Sequence, residues 1–197
     1  MMDAALQHIL TGCKKNERIA QKALYERYCS LFMLMCLRYV NTGADAEEVL
    51  NNAFLRIFKH ISKYSGQGSF EGWMKKIVVN CCLTYITKPG YKALSKIIPI
   101  QSGNANHTPY GIQEIAGSNG TIEERHHKDH LLHLLQNLPV TTRLVFNLYV
   151  FENYNHIEIG ELLGMAERTS QSHLAKARKI LHAEFDKEKL MRKIIGV

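Results

Sequence analysis

The chain lacks the signatures of the commonest catalytic sites. No G-x-x-x-x-G-K-[ST], G-x-S-x-G or H-E-x-x-H occurs in its 197 residues. That excludes the usual phosphate loop, esterase elbow and zincin helix. It also lacks a C-x-x-C. Its five cysteines, Cys13, Cys29, Cys36, Cys81 and Cys82, are odd in number, and the adjacent Cys81 and Cys82 are poorly placed to bond each other. Reduced thiols filling apolar positions of a cytosolic protein are expected. The N-terminal residues carry no basic-then-apolar signal pattern. The longest apolar run, Leu31 to Leu37, falls far short of the roughly 20 residues that span a bilayer. A cytoplasmic protein without membrane insertion is therefore predicted. No internal repeat or low-complexity tract is present. Acids are in the minority, 18 against 25 Lys and Arg, for a formal net charge of +7. A basic balance favours a polyanionic partner through counterion release.

What is present is helical. With 46% hydrophobic and 22% charged residues, the composition is globular, and the length suits one domain or two small ones. Leu24, Tyr28, Leu31, Met35 and Val40 recur at helical spacing. Asn41-Thr42-Gly43 breaks that helix, and Asp45 to Glu48 place acids in a new first turn, where they oppose the helix dipole favourably. Val49, Ala53, Phe54, Ile57 and Phe58 continue it. After a second break at Tyr64 to Gly68, Ser69 is placed to cap a helix holding Phe70, Trp73, Met74, Ile77 and Val78. Lys88-Pro89-Gly90 ends this block. Residues 90–120 hold Pro99, Pro109 and several glycines without a sustained period, and read as a flexible linker. Thr121 to Glu124 fits a capping box. Leu131, Leu134, Leu135 and Leu138 give the next helix its apolar face, and Pro139 suits the first turn of another. The expected architecture is all-α: a helical domain over 1–89, a linker over 90–120, and a helical domain over 121–197.

The richest stretch runs from Asn155 to Leu181. Asn155 and Glu158 suit a reciprocal cap. Ile157, Leu162 and Leu163 are expected to face inward, and Gly164 to turn tightly with positive φ. A second helix starts near Glu167, with Leu174, Ala177 and Leu181 as its buried stripe. Charge is polarised along this stretch. Val140 to Met165 hold one base against three acids, whereas Ala166 to Lys179 hold four bases against one acid. This is the layout of a helix-turn-helix, whose second helix enters the DNA major groove. Arg168 and Gln171 have donor and acceptor sets for purine edges. Thr169 and Ser172 suit phosphate or base, and His173, Lys176, Arg178 and Lys179 complete the outward set. The plainer alternative is an amphipathic helix with a solvated basic face.

Taken together, the two blocks resemble a bacterial sigma factor of the sigma-70 family, of the two-domain extracytoplasmic-function (ECF) type. Asp45 through Phe58 is similar to the family's polymerase-docking helix. Phe70 through Asn80 is similar to the segment that melts and reads the −10 element. Leu138-Pro139, Arg143 to Phe146 and the helix-turn-helix resemble the part that reads the −35 element. The resemblance implies core RNA polymerase and promoter DNA as partners, no cofactor, and no catalytic residue of the chain's own. It implies polymerase contacts at Asp45, Glu47, Glu48, Asn51 and Phe54. It implies −10 contacts at Lys75, Lys76, Asn80, Trp73 and Lys88, with Lys75, Lys76 and Asn80 ahead of Trp73, since a lone Trp on an apolar face more often packs in a core. It implies −35 contacts at Arg168, Thr169, Gln171, Ser172, His173, Lys176 and Arg178. An anti-sigma protein is a further partner common in the family, though no residue here identifies one.

Three positions depart from the family's commonest pattern. Asn51-Asn52 lowers the acidity of the docking helix. Ser170 replaces a branched apolar residue, which is expected to weaken packing slightly. Ala166 stands where Ser usually caps the recognition helix. His126 and His130 form an i, i+4 pair, but no Cys or carboxylate set completes a metal site, so a solvated helix face and no metal are expected. Two other functions fit parts of the pattern: a free-standing helix-turn-helix regulator, and a helical protein-interaction module.

Overall fold

The computed structural model describes residues 4–66, 68–88 and 122–195. The predicted linker, with Pro99 and Pro109, lies outside the described residues, as do Thr121 and the side chains of His126 and His127. Every regular element among the described residues is helical, and the chain divides into two compact units, residues 1–119 and 120–197.

The first unit contains α1 (Ala4–Lys14), α2 (Arg18–Tyr39), α3 (Gly43–His60), a 3-10 turn (Ile61–Lys63) and α4 (Phe70–Thr87). The chain turns between α1 and α2 at Asn16, whose φ is 60°. The two helices approach closely at Gly12, where a Cβ would meet that of Ala20 at 2.5 Å. Thr42 caps α3 by accepting from the Asp45 N–H at 3.1 Å. Ser69 caps α4 by accepting from the Gly72 N–H at 3.2 Å. Each cap satisfies an amide that would otherwise lack an intrahelical partner. α2, α3 and α4 bury Leu24, Phe32, Leu37, Val49, Ala53, Ile57, Met74 and Val78 against one another. Four of the five free thiols are buried and Cys29 is half-buried. Burial, with the nearby Glu17 charge, pushes the Cys13 thiol up to about 11.

The second unit contains α5 (Ile122–Gln136), α6 (Val140–Val150), α7 (His156–Leu163) and α8 (Glu167–Ile195). Leu134, Leu135 and Leu138 pack on Ala177 and Leu181, so the expected stripe of α8 forms part of its core. Pro139 is the N-cap of α6, one residue ahead of the expected first turn. Arg143 is fully buried, and its Nη1 donates to the Gln136 carbonyl at 3.1 Å. A cation there meets the negative end of α5. Arg143 thus belongs to the core and adds nothing to the exterior charge.

Two expectations for α7 are corrected. Ile157 is 59% and Leu162 40% exposed, whereas Ile159 and Gly160 are buried. An eight-residue helix turns only one narrow side to its neighbours, and here that side centres on Ile159. A Cβ on Gly160 would come within 2.6 Å of the Met165 carbonyl oxygen, so this glycine lets the turn fold back onto α7.

Candidate nucleic-acid interface

The helix-turn-helix is built from local chemistry. Asn155 Oδ1 accepts from the Glu158 N–H at 2.9 Å, and Glu158 Oε2 accepts from the Asn155 N–H at 2.8 Å, completing the reciprocal cap. Gly164 has φ 66°, and the Met165 N–H donates to the Gly160 carbonyl at 3.0 Å. The left-handed glycine stops α7 and redirects the chain.

On α8, Ser170, Leu174, Ala177 and Leu181 are buried, while Arg168, Thr169, Gln171, Ser172, Lys176, Arg178 and Lys179 are exposed. Arg168, Ser172 and Lys179 lie opposite the buried stripe, with Gln171 and Lys176 flanking them. Ser172 Oγ donates to the Arg168 carbonyl at 2.9 Å, and Gln171 Nε2 donates to Glu167 Oε1 at 3.0 Å. Both side chains retain oxygen acceptors. His173 departs from expectation. It is half-buried, with Nδ1 sharing a hydrogen bond with Thr142 Oγ1 at 3.1 Å. It ties α8 to α6 and is withdrawn from the outward set. Ser170 also departs: it is fully buried, with Oγ 2.9 Å from His156 Nδ1, so its hydroxyl is partnered inside the packing.

In the first unit, the α4 residues sort into two faces. Trp73, Lys76, Asn80, Thr84 and Thr87 follow one another at spacings of three and four, and from Lys76 onward this stripe is exposed. Thr84 and Thr87 escaped sequence reading; their hydroxyls donate back to the Asn80 and Leu83 carbonyls. Trp73 is half-buried, its ring 5.6 Å from Phe70 and 5.7 Å from Tyr64. Tyr64 Oη donates to the Gly68 carbonyl at 2.8 Å and so closes the loop that precedes α4. Lys75 lies toward the core side of the helix, 2.7 Å from Glu71. Lys88 lies at the far end, 3.1 Å from Glu48. The five expected −10 residues therefore form one stripe, exposed from Lys76 onward, and two separate ion pairs.

α3 carries the expected polymerase contacts. Glu47, Glu48 and Asn51 are exposed. Tyr85 Oη donates to Asp45 Oδ1 at 2.7 Å and to Glu48 Oε2 at 3.3 Å, while Lys88 Nζ donates to Glu48 Oε1 at 3.1 Å. Phe54 is corrected. It is 2% exposed, with its ring 4.6 Å from Tyr25 and 5.9 Å from Phe32. It braces α3 from inside. The neighbouring Leu55, 67% exposed, is the large apolar side chain that α3 presents outward, i, i+4 from Asn51. Helical phase could have marked it, since Leu55 falls outside the Val49, Ala53, Ile57 stripe.

Among the described residues, no group of three His, Cys, Asp or Glu side chains gathers at metal-binding geometry, and no helix is long and apolar enough to cross a membrane. His130 packs edge-on against Phe185 with ring centroids 5.9 Å apart.

Residues 24–90 match the Sigma-70 region 2 family and residues 128–181 the Sigma-70 region 4 family. The ECF RNA polymerase sigma-E factor of Escherichia coli (strain K12) is 20% identical over 175 residues, spanning 89% of this chain and 91% of that protein. The sigma-E factor of Haemophilus influenzae is 19% identical over 175 residues, covering 92% of its length. The solved structure of CnrH in complex with the cytosolic domain of CnrY shares 14% identity, covers 91% of this chain and 96% of that one, and has a TM-score of 0.48. With regions 2 and 4 both matched, in that order, the chain belongs to the ECF group of the sigma-70 family, sigma factors that bind core RNA polymerase and direct promoter recognition and transcription initiation.

Proposed function

We propose a division of labour among named faces of this sigma factor. The outward face of α8 reads the −35 element. Arg168 and Gln171 address base edges; Thr169, Ser172, Lys176, Arg178 and Lys179 address phosphates or flanking bases. The α4 stripe of Trp73, Lys76 and Asn80 meets the −10 strand, where a half-exposed ring and a cation suit an unstacked base and its phosphate. Lys75 and Lys88 reach DNA after exchanging Glu71 and Glu48 for phosphate. Core polymerase docks on α3 at Glu47, Asn51 and Leu55, with Asp45 and Glu48 at the edge of that face. The work takes place in the cytoplasm, and the phosphodiester chemistry belongs to polymerase.

The observation that carries this reading is the sorting of α8, with its apolar stripe buried and Arg168, Lys176 and Lys179 outside. Tethering both units to polymerase raises the effective concentration of each at its own element, so neither needs high affinity alone. The test is run-off transcription with core polymerase on promoters selected by the chain itself. Arg168→Ala or Lys176→Ala is expected to weaken −35-dependent initiation at unchanged polymerase affinity. Equal loss of both activities would overturn the assignment of α8.

A further inference from the structure

The recognition helix is held at its reading end by hydrogen bonds where hydrophobic packing is sparse. From Glu167 to His173, Ser170 is the one buried residue; the apolar stripe starts at Leu174. Ala166, at the start of α8, has no side-chain oxygen with which to cap it. Two side-chain hydrogen bonds tie this segment to other helices. Ser170 Oγ lies 2.9 Å from His156 Nδ1 on α7, and the His156 ring stacks on Tyr149 of α6 at 4.6 Å. His173 Nδ1 lies 3.1 Å from Thr142 Oγ1, also on α6, and Thr142 is itself fully buried. The pairs bracket Gln171 and Ser172, two of the side chains assigned to the −35 element.

We infer that the Ser170–His156 and His173–Thr142 pairs form a polar clamp that positions the recognition helix and so sets its sequence discrimination. Apolar contacts are non-directional, and a helix resting on Leu174, Ala177 and Leu181 can roll by a few degrees at little cost. Hydrogen bonds weaken steeply away from linearity. Two of them, one on the buried stripe and one on its flank, resist both roll and slide of the first two turns. A bidentate side-chain contact with a base depends on that same geometry, and displacement by a fraction of an ångström affects specific contacts more than it affects phosphate attraction. The four residues are positioning residues: they touch one another, and they act on DNA through Arg168, Gln171 and Ser172.

The inference rests on α8 as the −35 reader, and the test separates the two ideas. Full-length protein with core polymerase selects −35 sequences from a randomised promoter library. Initiation is then compared between the best sequence and its single-base variants. Thr142→Val and Ser170→Ala remove both hydroxyls without adding bulk to either buried site. The double variant is expected to fold with a lowered thermal midpoint, since His156 and His173 lose their partners, and to keep its polymerase affinity and its binding to non-specific DNA. Its discrimination between best and substituted −35 sequences is expected to fall about tenfold, the scale of one good base contact. Thr142→Ser, which keeps the hydroxyl, is expected to discriminate like the parent. Unchanged discrimination in a folded double variant overturns the clamp. If the double variant unfolds, Thr142→Val against Thr142→Ser decides the matter alone, and equal discrimination by the two overturns it. A parent chain that enriches no −35 sequence overturns the assignment of α8 and the clamp with it.

Discussion

Tyr85 Oη donates to Asp45 Oδ1 across 2.7 Å and forty positions of chain, fastening the start of α3 to the end of α4. Lys88 adds to the same cluster, pairing with Glu48 and lying 4.6 Å over the Tyr85 ring. The helix assigned to polymerase and the helix assigned to −10 DNA therefore share a joint. A protein that must hold both partners at once gains from a fixed angle between the surfaces that meet them.

That joint makes the first unit sensitive to one oxygen. Tyr85→Phe is expected to lower its stability by about 1 kcal/mol in denaturant titration, the usual net worth of such a bond. Burial first, then donation to Asp45 and the charges of Asp45 and Glu48, raises the phenol above its ordinary value. A group whose pKa is raised on folding contributes stability that is fully present below the unfolded value, about 10 for tyrosine, and lost as pH climbs beyond it. The alkaline decline in stability is expected to be shallower in the Phe variant; equal slopes would show that Tyr85 does not titrate with unfolding.

Lys75 and Lys76 are adjacent in sequence and unequal in setting. Lys75 is paired to Glu71, whereas Lys76 shares the exposed stripe with Asn80. Lys76→Ala is expected to slow −10 opening more than Lys75→Ala and to reduce the salt dependence of DNA binding by about one phosphate contact. Permanganate reactivity of unpaired thymines and a salt titration measure the two effects. A larger effect from Lys75 would move the DNA path to the other side of α4.

The turn before α8 depends on two glycines for different reasons. Gly160→Ala places a Cβ against the Met165 carbonyl, whose backbone cannot easily move away. A loss of about 1–3 kcal/mol is expected. Gly164 has open space around it, and only its φ of 66° resists a side chain. Gly164→Ala is therefore expected to cost less, about 1 kcal/mol, and Gly164→Asn less still. Thermal unfolding of the three variants ranks them, and the reverse order would mean that α7 adjusts freely against the turn.

Phe54 and Leu55 are expected to fail in opposite ways. Phe54→Ala opens a cavity beneath α3 and is expected to destabilise the first unit by about 3–5 kcal/mol. Leu55→Ser is expected to leave the unfolding midpoint within error while weakening capture of core polymerase. Calorimetric unfolding and a polymerase pull-down on both variants separate core from docking face. Normal capture by Leu55→Ser would place the polymerase contact elsewhere.

Much of the candidate site was legible because it rests on local rules. Asn155 and Glu158 form the expected box, Gly164 takes the left-handed conformation, and Ser69 caps α4. Each involves residues within a few positions of one another. Errors gathered where a side chain's fate depends on a distant helix. Phe54 reads as a possible contact until α2 covers it with Tyr25 and Phe32. His173 reads as a groove residue until α6 brings Thr142 beneath it. Ser170 reads as a packing defect until His156 supplies its partner.

The sequence alone determined the helical class, the two-block order, the family and the polarity of the recognition helix. Periodicity, capping and charge are properties of neighbours in the chain. Tertiary packing decided that Lys88 pairs with Glu48, that Asp45 is tied to Tyr85, and which end of α8 is held by hydrogen bonds to other helices. Those outcomes rest on distances between residues such as Asp45 and Tyr85 or Thr142 and His173, whose side chains meet only once the helices have docked.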